Sequence, residues 1–128
     1  MNKIRILIVD DDVPLTQTMK INLEDTGDFA VHVENNALKA ISAAREFLPD
    51  IILLDVIMPG LDGGDVSAQL KSDPALSGIP VIMVTALVSN GETGAEGVVT
   101  SGERMMVAKP IRVDKLIEVI EKRLAKAV

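Results

Sequence analysis

Ile4-Arg5-Ile6-Leu7-Ile8-Val9-Asp10-Asp11-Asp12 is a nearly unbroken run of Ile, Leu and Val that stops abruptly at three carboxylates. A strand with one wet face alternates apolar and polar residues, whereas this one offers apolar side chains to both faces. Such a strand belongs inside a parallel sheet covered on both sides. Ile51–Asp55 has the same character and again closes on an aspartate. Between the two runs the period changes. Leu15, Met19 and Leu23 recur at helical spacing behind Pro14, and Gly27-Asp28 breaks the pattern. Phe29–Glu34 alternates, with Phe29, Val31 and Val33 on one face, and reads as a second strand. Asn35-Asn36 offers a cap to a second helix marked by Ala37, Ile41 and Ala44, which Pro49-Asp50 stops.

Further on, Pro59-Gly60-Leu61-Asp62-Gly63-Gly64 is rich in turn residues, and Val66 and Leu70 mark a short third helix closing near Ser72-Asp73-Pro74. Val81–Thr85 reads as a fourth strand and residues 105–108 as a weaker fifth. Residues 112–127 form the clearest helix, with Leu116, Ile120 and Leu124 on one face and Val113 and Ile117 beside them. Strands alternating with helices through short loops predict a single α/β domain with a doubly wound parallel sheet. In such sheets ligands bind at the carboxyl ends of the strands, near the reversal in strand order.

Composition removes whole classes of function. The 128 residues contain no Cys, Trp or Tyr, two Phe and one His, with 19 acids against 13 bases for a net charge of −6. Without Cys there is no disulfide, thiolate zinc site or cysteine nucleophile. One His cannot build a multi-histidine metal centre. Net acidity and the lack of a stacking platform argue against nucleic acid. The opening apolar run is too short for a signal peptide, and no stretch approaches a membrane span, so a cytoplasmic protein without membrane insertion is expected. The chemistry easiest to build from what remains is a hard divalent cation held by oxygen ligands.

The strand ends supply that chemistry. Asp10, Asp11 and Asp12 follow the first strand, Asp55 ends the third, Thr85 ends the fourth, and Lys109-Pro110 follows the fifth. Clustered carboxylates repel one another unless a cation lies between them, and Mg²⁺ is held by one or two carboxylates plus waters and phosphate oxygens. A carboxylate can also act as nucleophile in phosphoryl transfer, with a metal, a lysine and a hydroxyl answering the charge on the transferring oxygens. Asp12, nearest Pro14, reads as a helix cap and is left out of the site.

Four pieces of the sequence, Ile6-Leu7-Ile8-Val9-Asp10-Asp11-Asp12, Pro49-Asp50-Ile51-Ile52-Leu53-Leu54-Asp55-Val56-Ile57-Met58-Pro59-Gly60-Leu61-Asp62-Gly63, Val84-Thr85-Ala86 and Lys109-Pro110, stand in order along essentially the whole chain. Together they resemble the receiver domain of two-component response regulators. The resemblance implies a flavodoxin-like five-stranded parallel sheet in the order 2-1-3-4-5 with five helices. It implies that Asp55 accepts a phosphoryl group from a phosphohistidine of a sensor histidine kinase or histidine phosphotransfer protein. Mg²⁺ would be held by Asp11 directly, by Asp10 largely through water, by Asp55, and by the backbone carbonyl of Ile57. Thr85 and Lys109 would bind phosphoryl oxygens, and the Lys109–Pro110 bond would be cis. The expectation is therefore a signalling switch rather than an enzyme: one receiver domain over residues 1–128 without an attached output domain. It would act through a downstream protein or self-association.

Three departures from the family pattern stand out. Residues 87–102, where the family has a helix, hold four of the nine glycines. An interior Gly costs a helix about 1 kcal/mol, so Gly91, Gly94 and Gly97 predict a short, shifted or mobile fourth helix. Met106 stands three residues before Lys109, where many receivers carry an aromatic switch residue. Ile57 and Leu87 stand two residues after Asp55 and Thr85, and two aliphatic side chains cannot orient an attacking water, which predicts slow self-dephosphorylation.

Other readings use the same residues. Asp10-x-Asp12 after a buried strand resembles haloacid-dehalogenase-type phosphatases, with Asp10 as nucleophile. A vestigial receiver acting as a phosphorylation-independent binding module is another. His32 lies on the strand face opposite Phe29, Val31 and Val33, has no motif around it, and reads as structural or surface. Glu118, Glu121, Lys122, Arg123 and Lys126 read as the solvated face of the last helix.

Overall fold

The apolar runs become the centre of a sheet. The structure, a computed structural model, describes residues 3–55, 63–85, 98–101, 104–108 and 113–126. Strands β1 (Ile4–Val9), β2 (Phe29–Glu34), β3 (Ile51–Asp55), β4 (Val81–Thr85), β5 (Val98–Ser101) and β6 (Arg104–Ala108) form one sheet in the order β2-β1-β3-β4-β6-β5. β1 and β3 lie inside it, and every residue of β3 is buried, as expected of strands apolar on both faces. The β2, β1, β3, β4 and β6 pairings are all parallel, so the five anticipated strands stand in the anticipated order.

Period-two alternation sorts the sheet's side chains into two cores. Ile6, Ile8, Phe29, Val31, Ile51, Leu53, Ile82 and Val84 face one way and pack against Met19 and Leu23 of helix α1 (Val13–Asp25) and Leu116, Val119 and Ile120 of helix α4 (Val113–Lys126). Leu7, Val9, Ile52, Leu54 and Met83 face the other way, against α2 (Ala40–Phe47) and α3 (Gly63–Ser72). From α2 and the short 3-10 turn before it (Ala37–Lys39), the buried residues are all alanines: Ala37, Ala40, Ala43 and Ala44. Among the described residues no helix is long and apolar enough to cross a membrane.

The boundaries have local causes. Asp12 caps α1, its carboxylate accepting from the Leu15 N–H at 3.0 Å, with Pro14 in the first turn. Gly27, at φ +87°, reverses the chain into β2. Asn36 caps the 3-10 turn through the Leu38 N–H at 3.0 Å. Leu48 ends α2 in a left-handed conformation (φ 51°), its N–H returning to the Ala44 carbonyl at 2.9 Å.

The structure adds two things to the sequence reading. Among the described residues the sheet has six strands rather than five, because β5 joins β6 antiparallel, with Ser101 opposite Arg104. Val98, Val99 and Thr100 are β-branched, which suits a strand. The remainder of the segment read as a shortened fourth helix, residues 87–97 and 102, lies outside the described residues, as does the Lys109–Pro110 bond. On α4, Glu118, Glu121 and Lys122 are exposed as expected, but Arg123 is half-buried and its Nε is enclosed.

Candidate functional site

Sheet register brings the carboxylates together. Val9 pairs with Leu54, so Asp10 and Asp55, the next residues on the two parallel strands, leave the sheet side by side. One carboxylate oxygen from each of Asp10, Asp11 and Asp55 lies within 4.8 Å of the others. Asp10 and Asp55 are 3% and 5% exposed, while Asp11 is open to solvent. Three carboxylate groups converging on one point offer an all-oxygen donor set suited to a hard cation.

The surroundings hold Asp10 in place. Its carboxylate accepts from the Asp12 N–H at 3.0 Å, and its own N–H donates to the Glu34 carbonyl at 3.2 Å. Asn35 Nδ2 donates to the Asp10 main-chain carbonyl at 2.8 Å and to the Thr16 hydroxyl at 3.0 Å. Thr16 is fully buried and donates in turn to the Val13 carbonyl at 2.9 Å. Asn35 thus ties the ends of β1 and β2 to the first turn of α1. Sequence reading treated Asn35 only as part of a cap. The available signal was the β1–β2 register, in which Val9 pairs with Glu34 and Asn35 therefore falls beside Asp10.

The other expected site residues are placed less fully. Thr85 is the last residue of β4, at the same sheet edge, and pairs with Ala108, the residue before Lys109. The Thr85 side chain, Ile57, Leu87 and Lys109 lie outside what the structure describes. Met106 sits in β6 opposite Met83. Asp12 is the α1 cap, as read, rather than a member of the acidic group.

His32 takes no part in the site. It stacks on Phe47 at 5.3 Å between centroids and 29° between planes, and the Arg5 guanidinium lies 4.2 Å from the centre of the Phe47 ring. Arg5 also donates from Nε to the Phe47 carbonyl at 3.1 Å, and its own N–H reaches Asp50 at 2.8 Å. That layer anchors the end of α2 to β1.

Comparison with known proteins agrees with the geometry. The model of the response regulator receiver domain matches residues 6–121. Protein PilH of Pseudomonas aeruginosa is 36% identical over 121 residues, covering 94% of this chain and 98% of PilH. The DNA-binding response regulator MtrA of Mycobacterium tuberculosis is 36% identical over 122 residues, covering 94% of this chain and 50% of MtrA. The chain therefore spans about half the length of the MtrA relatives it matches. A putative response regulator from Chloroflexus aurantiacus superimposes with a TM-score of 0.80 at 25% identity, covering 97% of this chain and 99% of that one. Strand order, an acidic cluster at the carboxyl ends of β1 and β3, and a family match across most of the chain converge: this chain belongs to the response regulator receiver domain family.

Proposed function

We propose that Asp55 is the phosphoryl acceptor of this receiver, and that residues 1–128 act as one phosphorylation-dependent switch in the cytoplasm. Receiver domains of this family are signalling switches that bind Mg²⁺ at an acidic cluster and interact with histidine kinases or phosphotransfer proteins. The observation that carries the proposal is the convergence of Asp10, Asp11 and Asp55 within 4.8 Å, two of them buried, at the carboxyl edge of the sheet.

The oxygen-only donor set fits Mg²⁺. Asp10, Asp11 and Asp55, with the backbone carbonyl of Ile57, are the groups that would hold it. When bound, Mg²⁺ offsets the negative charge of the carboxylates and of the incoming phosphoryl oxygens. Asp55 attacks phosphorus through a carboxylate oxygen. The new O–P bond makes an acyl phosphate as the P–N bond to the donor imidazole breaks, and that nitrogen takes a proton from solvent. Thr85 and Lys109 bind the phosphoryl oxygens. Asn35 positions Asp10 by fixing its main chain.

This chemistry changes the state of the protein rather than turning over a substrate. The family assignment also tells against the phosphatase alternative, in which Asp10 is the nucleophile. Intact-mass measurement after incubation with acetyl phosphate and Mg²⁺ tests the proposal. The expected result is a gain of one phosphoryl group in the wild type that is lost in Asp55→Asn, whereas a gain kept in Asp55→Asn and lost in Asp10→Asn would favour the phosphatase reading. No gain in the wild type, or an undiminished gain in Asp55→Asn, overturns the assignment.

A further inference from the structure

A cavity of about 120 Å³ lies at the amino-terminal edge of the sheet, the end opposite the carboxylates. It sits between α3, the turn over residues 73–80 and the start of β4. Leu70, Leu76 and Met83 form an apolar wall, and Ser67, Lys71 and Arg123 supply polar groups. Arg123 comes from α4, which packs on the other face of the sheet, so the cavity joins the two helical layers.

Its electrostatics are one-sided. Arg123 Nε is buried with no hydrogen-bond partner. Among the described residues neither Arg123 nor Lys71 makes an ion pair, although the chain carries a net charge of −6. A buried N–H left without an acceptor is costly, and in native structures such a group calls for an explanation. A compact anion supplies one.

Size and lining narrow the class. The cavity is large enough for several water-sized groups, the size of a short organic anion. A guanidinium matches the two oxygens of a carboxylate. The apolar wall suits a short alkyl group, whereas a phosphate would press charged oxygens against Leu70, Leu76 and Met83 at a desolvation cost. We propose that this cavity binds a short aliphatic monocarboxylate, its oxygens on Arg123, Lys71 and the Ser67 hydroxyl and its alkyl group against Leu70, Leu76 and Met83.

The test is an NMR titration of the isotope-labelled full chain with sodium propionate at constant ionic strength, with sodium phosphate and sodium chloride as parallel arms. Propionate is expected to give saturable shifts at amides of residues 67–83 and 119–124, unchanged in Asp55→Asn, which separates this cavity from the acidic site. Arg123→Leu is expected to raise the propionate Kd about tenfold or more. Because Nε has no partner to lose, the variant should remain folded. Lys71→Ala, at an exposed position, gives a second reading and should weaken binding in the same direction. Absence of saturable shifts, equal shifts with phosphate or chloride, or an unchanged Kd in both variants overturns the proposal.

Discussion

Asn35 shows how one side chain can serve the fold and the site together. Its amide satisfies the main-chain carbonyl of the buried Asp10 and the hydroxyl of the buried Thr16. Asn35→Ala leaves both acceptors short of a donor, at a cost of about 1–3 kcal/mol read from the midpoint of urea unfolding. It also loosens a residue proposed to hold the metal, so Mg²⁺ affinity should fall about tenfold, as for other outer partners of metal sites. Unchanged stability and affinity would show that β1 and α1 hold Asp10 without help. The carboxylates were legible in the sequence only jointly: aspartates after a strand often cap a helix, as Asp12 does, and it is their recurrence at the ends of two apolar strands that points to a site. Asn35 was not. An Asn after a strand reads as a cap, and only the pairing of β1 with β2 reveals that Asn36 takes that task while Asn35 faces Asp10.

Elements were legible to the degree that their stabilising interactions are local. β1 and β3 announce themselves by apolar side chains on both faces, and α1 by Pro14, a capping aspartate and the spacing of Leu15, Met19 and Leu23. Asp12→Ala removes that cap and should lower stability by about 1 kcal/mol in thermal or urea unfolding. Phosphoryl acceptance from acetyl phosphate should survive, since the Asp12 contact to Asp10 is made by a backbone N–H. Loss of acceptance in a folded Asp12→Ala protein would place its carboxylate in the site after all. β5 was illegible for the opposite reason. A run of three β-branched residues among glycines fails as a helix, but whether it becomes a strand depends on the open edge that β6 offers.

At the scale of the whole molecule, acid sensitivity has identifiable contributors outside the site. The Lys20 ammonium, 2.9 Å from Glu24, holds that carboxyl below its ordinary range, aided by the Val31 N–H. The Arg45 guanidinium does the same for Asp73, with help from the Ala75 N–H, and links α2 to the turn after α3. Both carboxyls lose their protons more readily in the folded state, so in acid the unfolded chain binds more protons and stability rises with pH. Their contribution is complete above the ordinary carboxylate value, near pH 4, and disappears as pH falls through the depressed folded values. Both pairs are solvent-screened, so each share is small. Glu24→Gln combined with Asp73→Asn should lose less Tm than the wild type between about pH 6 and pH 3. An identical loss would assign the acid response to other carboxylates.

The two helical layers are also built from different material, and that bears on how the sequence can drift. Against one face of the sheet, α1 and α4 bring Met19, Leu23, Leu116, Val119 and Ile120, side chains whose volumes can be traded among neighbours. Against the other, the buried residues of α2 are Ala40, Ala43 and Ala44, with Ile41 and Phe47 partly buried beside them and Val66 and Leu70 coming from α3. At these three buried alanines no methyl group can be given up without Gly, and an added one has to be accommodated in a packed layer. Homologues of this chain should therefore diverge freely in the first layer while these three positions stay small, a lopsided clock written into one domain.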